Sequence, residues 1–438
     1  MFLAESNISF AQRIDRYPSL KNRMELLMNV LEDCAGDCQK ASEAEMRVIE
    51  ELRQMGSEAL HCWAEHKLEQ ASEDFSKTHG TAAKSGKKKL WWHTTFGEVV
   101  VYEQEFRSSG QRFRSFSDLA EVHCRSCSRA LQRVVTDFGA DHAFGLVPKK
   151  LQEHYGIDLS ASTVRAITEH HAGQIYQSEE RVTDQPKTNG CKLLIGEIDG
   201  SMIPIVKIDG EADDKRKNKT LQWKEARLCL VHQAGSATPT FGATFSGTVT
   251  DAGQQLYHCA VQAGFGKGTH LHGVGDGATW IADQIDEQFG AQGSYLVDFY
   301  HLCDYLAAAA KSCAPQHEKA WMDTQKDRLK QSDFPRVLEE LDAFLEPDTV
   351  DSQNAPVRAC YRYIKNRPHQ LDYKAALDQG LPIGSGEIES AHRYIVQQRL
   401  KLPGAWWTPD NVDSMLALRI TRANDKWDSY WNQRRQAA

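Results

Sequence analysis

The spacing of apolar side chains changes along the chain and divides it into four predicted regions. From about Leu20 to Asp74, apolar residues recur every three or four positions among many Glu, Ala and Met residues, which predicts a helical module over residues 1–83. The lysine-rich stretch SKTHGTAAKSGKKK follows, and its composition is typical of a linker or basic arm. Residues 84–130 are predicted to hold this arm and a small strand-containing region, because TTFGEVVVYEQEFR is rich in β-branched and aromatic residues.

Residues 131–186 are predicted to form a helix-turn-helix-like region that binds DNA. The segment VPKKLQEHYGIDLSASTVRAITEHHAGQIY indicates a short amphipathic helix, a turn at Gly156 and a second helix with Ser160 as its N-cap. In a DNA-recognition helix, Ser162, Thr163 and Arg165 would face the duplex. The alternative is an ordinary αα-hairpin, in which two helices pack together without contacting DNA.

From Cys191 onward, strands alternate with helices. Three strand segments come first, CKLLIGEIDGSMIPIVKI, EARLCLVHQA and TPTFGATFSG, and two further strands, THLHGVGDG and SYLVDFY, each lead into a helix. Antiparallel strands followed by parallel strands with intervening helices are the order of an RNase H-like fold. We therefore expect an α/β protein, α+β overall, whose residues 187–438 form an RNase H-like mixed-sheet catalytic domain with a helical insertion at about 315–380.

Three carboxylates in this region are candidates for metal-dependent phosphoryl transfer. Asp199 and Asp276 each follow an apolar strand directly, and Glu389 stands in the first turn of an amphipathic helix. Mg²⁺ and Mn²⁺ take oxygen ligands, and two such ions roughly 3.5–4 Å apart can clamp both reacting oxygens of a phosphodiester. The alternatives are that the aspartates are solvated turn residues and that Glu389 only complements a helix dipole. Glu387 competes with Glu389, since residues two apart on a helix do not share a face.

Asp298 and His301 form a second candidate pair at the end of the last predicted strand. Their Asp-x-x-His spacing lies between Asp276 and Glu389 in the sequence, and the strand end directs it to the same edge of the sheet. We expect the pair to orient the scissile strand or the three carboxylates. The alternative for His301 is a buried, hydrogen-bonded histidine of the core.

A basic and aromatic group near the C-terminus is predicted to contact DNA. Trp406 and Trp407 follow Arg399 and Lys401, and this combination of rings and cations suits stacking on exposed bases or on a DNA end. The alternative is that both rings belong to the core.

Other catalytic and metal motifs are weak or missing in the sequence. His123, Cys124 and Cys127 match half of a zinc site, but no second Cys-x-x-Cys follows at a suitable spacing. The chain has neither a GxxxxGK[ST] phosphate loop nor a nucleophile elbow, which argues against an ATPase and against a serine hydrolase.

Composition narrows the class of protein further. The 438 residues are 41% hydrophobic, which is ample for more than one core. Eleven scattered cysteines, an odd number, do not suggest a disulfide framework and suit a reducing compartment. No apolar run approaches the ~20 residues of a membrane span and no leader pattern is present, so we expect a cytoplasmic protein that does not bind membranes. The net charge of −8 is mildly unfavourable for a nucleic-acid binder, but clustered lysines and arginines decide such binding.

The segment IGSGEIESAHRYIVQQRLKLPGAWW resembles the C-terminal signature of the ISKra/ISLre-type transposases of bacterial insertion sequences. The order Asp-Gly-Ser, Trp-Lys-Glu, Gly-Asp-Gly and Asp-x-x-His is similar to that group as well, and the match runs from roughly Leu131 to Trp427. The resemblance implies a DDE transposase with an RNase H-like core, a helical insertion before the final Glu and an N-terminal DNA-binding part. One departure is the lack of the cysteine-paired ribbon that members often carry after the strand that here is GEVVVYEQEF.

Carried over by position, the resemblance assigns the acidic triad to Asp199, Asp276 and Glu389 and the Asp-x-x-His motif to Asp298 and His301. It implies Mg²⁺ or Mn²⁺ as cofactor, and double-stranded DNA, both element ends and target, as partner. Because two DNA ends must be cut together, we expect a homodimer or larger assembly on DNA, in the cytoplasm and associated with the bacterial nucleoid. The alternatives are an RNase H-like nuclease without strand transfer and a catalytically inactive, transposase-derived DNA-binding protein.

Overall fold

A computed structural model describes residues 9–33, 40–80, 82–108, 110–122, 124–179, 186–208 and 219–436. The chain divides into two compact units, Met1–His171 and Ala172–Ala438. Among the described residues, no helix combines the length and the apolar composition that crossing a membrane would require.

The first unit contains a long helix, a small antiparallel sheet and a group of shorter helices. Its elements are α1 (Phe10–Ile14), α2 (Pro18–Asp33), α3 (Ala41–Thr78), β1 (Ala83–Thr94), β2 (Gly97–Ser108), β3 (Gln111–Arg114), α4 (Ser115–Leu119), α5 (Arg129–Asp141), α6 (Val147–Tyr155) and α7 (Ala161–Gln177), the last of which crosses the boundary between the units. The predicted N-terminal helices are confirmed by α2 and α3.

The predicted basic arm is wrong, because the lysine-rich segment is a strand. Lys84, Lys87, Lys88 and Lys89 lie in β1, which pairs in antiparallel fashion with β2, while β2 pairs with β3. The core face of the resulting sheet packs Leu90, Trp92, Val99 and Val101 against Ala64 of α3 and Phe116 of α4. Backbone pairing with β2 therefore overrides the low strand propensity of the segment's Lys, Gly and Ser residues.

The predicted pair of helices around Gly156 is confirmed. Gly156 follows α6 with a φ of 65°, a left-handed conformation that favours glycine at a helix C-terminus. Ser160 caps α7, since its Oγ accepts a hydrogen bond from the N–H of Thr163 at 3.2 Å. Leu131 of α5, Leu151 of α6 and Ile167 of α7 share one core, so the three helices fold around each other.

The second unit contains a five-stranded mixed sheet with helices on both faces. Its elements are β4 (Leu193–Ile208), β5 (Lys219–Gln233), β6 (Thr240–Thr244), α8 (Val249–Ala263), β7 (His270–Gly275), α9 (Thr279–Phe289), β8 (Gly293–Val297), α10 (Phe299–Cys313), α11 (Glu318–Lys330), α12 (Phe334–Asp342), α13 (Pro356–Lys365), α14 (Tyr373–Asp378), α15 (Gly386–Ala391), a π-helical turn (His392–Gln397), α16 (Gln398–Leu400), α17 (Pro409–Ala423) and α18 (Trp427–Gln436).

The strand order in this sheet is β6-β5-β4-β7-β8. β4, β5 and β6 are antiparallel to their neighbours, whereas β7 is parallel to β4 and β8 is parallel to β7. The predicted succession of antiparallel and then parallel strands is confirmed, and the fold is a mixed α+β arrangement. Both parallel strands end at the same edge as the middle of the long strand β4, where Asp199 lies.

One face of the sheet packs against α8 and α9, through Leu194 and Ile198 of β4, Leu256 of α8 and Ile285 of α9. The other face carries α15, the π-helical turn and α17. Asp413 of α17 accepts hydrogen bonds from the backbone N–H groups at the end of β6, including that of Phe245 at 2.7 Å. The sheet is thus covered on both sides, and its strand ends supply the accessible edge.

The predicted insertion is helical, as expected. Helices α11 to α14 lie between β8–α10 and α15 in the sequence and form a separate core with α10. Leu329, Val337 and Tyr373 are fully buried in it, beside Leu306 of α10. The insertion is therefore a packed subdomain anchored on α10.

Candidate active site

The register of the mixed sheet brings three acidic residues to one edge. Glu197 of β4 pairs with Val274 of β7, so Asp199 and Asp276 follow two residues beyond that pair on adjacent strands. Val274 in turn pairs with Leu296 of β8, two residues before Asp298. Side chains two residues apart share a face, and neighbouring strands lie about 4.8 Å apart. Asp199, in the middle of β4, therefore lies at the same edge as Asp276 and Asp298, which directly follow the ends of β7 and β8.

Helix α15 crosses this face of the sheet and carries both candidate glutamates. The backbone N–H of Ile388 donates to Glu197 Oε2 at 2.7 Å, which fixes the helix over β4. Glu387 Oε2 lies 3.3 Å from His232 Nε2 on β5, whereas His392 Nε2 lies 3.4 Å from Asp199 Oδ2. At about 100° per residue, Glu389 lies on the flank of the helix that His392 occupies, and Glu387 lies on the opposite flank. The geometry favours Glu389 over Glu387 as the residue that faces Asp199.

The three predicted ligands are accessible but separate. Asp199 is one-third exposed, Asp276 is half-buried and Glu389 is exposed. Asp276 Oδ1 accepts a hydrogen bond from the N–H of Ala278 at 2.8 Å. In the described part of the chain, no three His, Cys, Asp or Glu side chains gather closely enough to hold a metal ion.

Asp298 fixes the start of the helix that carries the glutamates. Its Oδ1 accepts hydrogen bonds from the N–H groups of Tyr300 and His301, which caps α10, and its Oδ2 accepts from the N–H and Oγ of Ser385, both at 2.6 Å. With only 3% of its surface exposed, Asp298 cannot reach a DNA strand. The prediction that it orients the scissile strand is corrected: it positions α15 through Ser385.

His301 occupies the first turn of α10 and is half-buried. Its imidazole packs against two tyrosine rings, with centroid distances of 5.6 Å to Tyr305 and 6.1 Å to Tyr363. His301 thus joins the start of α10 to the insertion helix α13.

The turn that contains Asp276 is held by side chains that sequence reasoning missed. Tyr363 Oη donates to the backbone oxygen of Asp276 at 2.6 Å, and the Nε and Nη2 of Arg367 donate to the backbone oxygen of Gly277 at 2.9 and 2.7 Å. The N–H of Gly277 donates to Tyr295 Oη at 3.0 Å. Gly277 has a φ of 84°, and a Cβ atom there would lie 2.4 Å from Tyr363 Oη. No local signal marks Tyr363 or Arg367, because they are far from Asp276 in sequence.

Glu197 is a buried carboxyl group directly beneath α15. It is 1% exposed, and burial raises its pKa to about 8, although the hydrogen bond from the N–H of Ile388 opposes that rise. The nearby carboxylates of Glu387, Asp298 and Glu389 raise the pKa further. Strand alternation in GEIDGS could have identified Glu197, since it stands two residues before Asp199 and so shares its face.

Two of the predicted DNA contacts are wrong, because their side chains are buried. Arg399 is 1% exposed and Trp407 is 5% exposed, with the guanidinium 4.8 Å from the centroid of the indole ring. This cation–π pair belongs to the core beneath α16. Trp406, in contrast, is 56% exposed, and the ammonium of Lys219 lies 5.5 Å from its ring.

Lys401 lies at the candidate site itself. Its Nζ donates to Ser201 Oγ at 2.7 Å, and Ser201 is two residues beyond Asp199 on the same face of β4. Partial burial lowers the pKa of the Lys401 ammonium, an effect that the charge of Asp199 opposes. The site therefore combines a cation with the carboxylates.

The helix-turn-helix residues lie at the start of α7. Ser162 and Arg165 are exposed and Thr163 is half-buried. Arg165 Nε is 2.9 Å from Glu169 Oε1, an ion pair within one helical turn. Their contact with DNA stays a prediction.

The half zinc motif is not organised as a metal site among the described residues. Cys124 is half-buried, Cys127 is fully buried, and His123 lies outside the described residues. Burial raises the pKa of the Cys127 thiol to about 12, which disfavours the thiolate that zinc would bind.

Comparison with known protein families finds a match within the second unit. Residues 267–434 match the model of an uncharacterised protein family, UPF0236, a segment that contains Asp276, Asp298 and Glu389 but not Asp199. No curated protein sequence matches the chain.

The buried Glu197 predicts a specific pH dependence of stability. Its pKa is about 8 in the folded chain and 4.5 as the ordinary value, so the folded state loses stability as the pH rises through this window. A Glu197→Gln variant keeps an oxygen for the N–H of Ile388 and does not titrate. In EDTA, its free energy of unfolding relative to the natural chain should increase between pH 5 and pH 9 in urea titrations. Glu339→Gln, at an exposed position of α12, is the control; a pH-independent difference at Glu197 would contradict the assignment.

We call the hydrogen bonds from Tyr363 and Arg367 to the turn of Asp276 the brace. The brace predicts a local effect on the opening of the backbone. Tyr363→Phe removes one hydrogen bond, of about 0.5–1.5 kcal/mol, so hydrogen exchange in peptides covering Gly277 and Ala278 should accelerate by about two- to tenfold. Tyr361→Phe, in the same helix α13, should leave those peptides unchanged. Equal exchange in both variants would show that Tyr363 does not hold the turn.

Proposed function

We propose that this protein is a DDE transposase, which cleaves a phosphodiester at the ends of its element and joins the freed 3′-OH to target DNA. The observation that carries the proposal is the register that sets Asp199 of β4 beside Asp276, which directly follows the adjacent strand β7, with the helix of Glu389 crossing the sheet there. The strand order β6-β5-β4-β7-β8 supports an RNase H-like core, as does the helical insertion before Glu389. The resemblance of the segment around Glu389 to insertion-sequence transposases agrees with both.

The donor set fits Mg²⁺ or Mn²⁺. Asp199, Asp276 and Glu389 offer carboxylate oxygens, the ligands that these hard cations prefer, at an accessible edge. Bound there, divalent cations would neutralise the negative charge that develops on the phosphodiester during the displacement.

The surrounding side chains orient the carboxylates. His392 lies against Asp199 Oδ2, Tyr363 and Arg367 hold the turn of Asp276, and Asp298 and Glu197 fix the start of α15. Lys401 supplies an ammonium beside Asp199 that can contact a DNA phosphate. The partner is double-stranded DNA, at the element ends and at the target. Because two DNA ends must be cut together, the active form is a homodimer or larger assembly on DNA. It acts in the bacterial cytoplasm, in association with the nucleoid.

The proposal predicts that Asp199→Asn abolishes chemistry but not binding. Replacing one ligand oxygen should lower the cleavage rate by more than about a hundredfold. The contact between a carboxylate and the metal ion is worth several kcal/mol of transition-state stabilisation. The assay incubates labelled DNA carrying the element ends with Mg²⁺ or Mn²⁺ and separates nicked from joined products. Asp286→Asn, an exposed aspartate on α9 at the other face of the sheet, is the matched control.

Each product pattern has a distinct meaning. Joined products lost with Asp199→Asn support the transposase, and nicked products alone identify a nuclease without strand transfer. Unchanged DNA binding with no cleavage in either metal would identify an inactive DNA-binding protein. Cleavage retained by Asp199→Asn would refute the proposed site.

The two glutamates of α15 should behave differently. Glu389→Gln should abolish cleavage, because Glu389 occupies the flank of the helix that His392 and Asp199 share. Glu387→Gln should keep most of the activity, because Glu387 faces His232 on β5. The same product assay compares the two variants, and the reverse outcome would transfer the ligand role to Glu387.

A further inference from the structure

The small sheet of the first unit has one covered face and one open face. In the β1–β2 register, Lys87 pairs with Gln104, Lys89 with Tyr102 and Trp91 with Val100. Directly paired residues project from the same face, so these side chains lie opposite the face that packs against α3 and α4. We call this the open face.

The cations of this sheet are exposed, while its acids are mostly buried. Seven exposed lysine and arginine side chains stand on its three strands: Lys84, Lys87, Lys88, Lys89, Arg107, Arg112 and Arg114. The register places Lys87 and Lys89 on the open face, whereas Lys88 pairs with the buried Glu103 and Lys84 with the buried Phe106. Of its acidic residues, Glu103 and Glu105 are buried and Glu98 alone is exposed. The sheet is therefore locally basic on a chain whose net charge is −8.

Two large aromatic side chains are exposed on the open face as well. Trp91 is 47% exposed and Tyr102 is 55% exposed. The ammonium of Lys89 lies 3.4 Å from the centroid of the Trp91 ring, so cation and ring form one surface. Lysines on an edge strand commonly prevent aggregation between sheets. That role does not explain exposed aromatic rings beside the lysines, because such rings promote association.

We propose that the open face of the β1–β2–β3 sheet binds duplex DNA, with Lys87 and Lys89 on phosphates and with Trp91 and Tyr102 against the sugars or base edges. Charge complementarity identifies the partner, since phosphate neutralisation by lysines and arginines supplies most of the sequence-independent affinity for DNA. The shape fits too. Two-stranded β-ribbons enter the major groove, which is about 12 Å wide, and strands of this length span roughly 40 Å. The inference takes DNA as substrate from the proposed function, but the open face belongs to the first unit and shares no residue with the candidate active site.

The test measures the salt dependence of DNA binding. Fluorescence anisotropy follows the full chain binding to a labelled random-sequence duplex, in EDTA, over a series of KCl concentrations. Each phosphate contact contributes about 0.9 to the slope of log K against log salt. Lys87→Ala/Lys89→Ala should reduce that slope by about two and weaken binding by roughly tenfold at the lower salt concentrations. The matched control removes the exposed Lys67 and Lys77 of the same unit and should leave the slope unchanged.

A second variant tests the ring contact. Trp91→Ala removes an exposed side chain and should weaken binding several-fold without changing the salt slope, because it removes no charge. Circular dichroism confirms that each variant is folded. An unchanged affinity of Trp91→Ala would overturn the assigned ring contact.

Three outcomes would overturn the proposal: a double lysine variant with the slope of the natural chain, tighter binding of a single-stranded oligonucleotide than of the duplex, or binding to anionic vesicles in place of DNA. Because EDTA prevents metal-dependent chemistry, these results do not depend on cleavage. If the chain binds duplex DNA through this face but never cuts it, the proposed transposase activity is refuted and the proposed DNA-binding face is supported.

Discussion

The carboxylate of Asp298 joins two segments on which the candidate site depends. Its four hydrogen bonds cap α10 at one oxygen and hold Ser385 at the other, across 87 residues of sequence. Ser385 is the N-cap residue of α15. The hydrogen bonds between Ser385 and Asp298 therefore fix where α15 begins, and with it the positions of Glu387 and Glu389. A buried carboxylate with four donors is well compensated, whereas the loss of any one donor would leave part of the charge without a partner. This constraint explains why an acidic residue remains buried at a strand end.

The helical insertion contributes to the site as well as to stability. Its core is continuous with α10, and its helix α13 and the residue Arg367 reach back to the backbone of Asp276 and Gly277. The brace needs a glycine at position 277, because its left-handed φ and the close approach of Tyr363 both exclude a side chain. One carboxylate is thus held by the insertion and another by its own strand. A helix that returns to the sheet after the insertion carries the third.

The sequence predicted the parts of this arrangement that depend on local pattern. The strands that carry or directly precede Asp199, Asp276 and Asp298 follow from periodicity and turn chemistry, and so do the helices around Gly156. The strand β1 does not, because lysine and glycine disfavour strands and only pairing with β2 stabilises it. A cation near aromatic rings predicts a surface contact for Arg399 and Trp407, but both side chains are buried. The same pairing is stable in a core when the guanidinium packs on the indole. Tyr363 and Arg367 act through tertiary contacts that no local window contains.

The π-helical turn His392–Gln397 separates the two ends of one helical segment. Such a turn takes in one extra residue, and each residue rotates the following side chains by about 100° around the axis. Compared with an uninterrupted α-helix, the extra residue therefore rotates Glu389 by about 100° relative to Arg399 and Leu400 downstream, which are both buried. A single inserted residue is enough to redirect the exposed acidic end of the segment while its buried anchor stays in place.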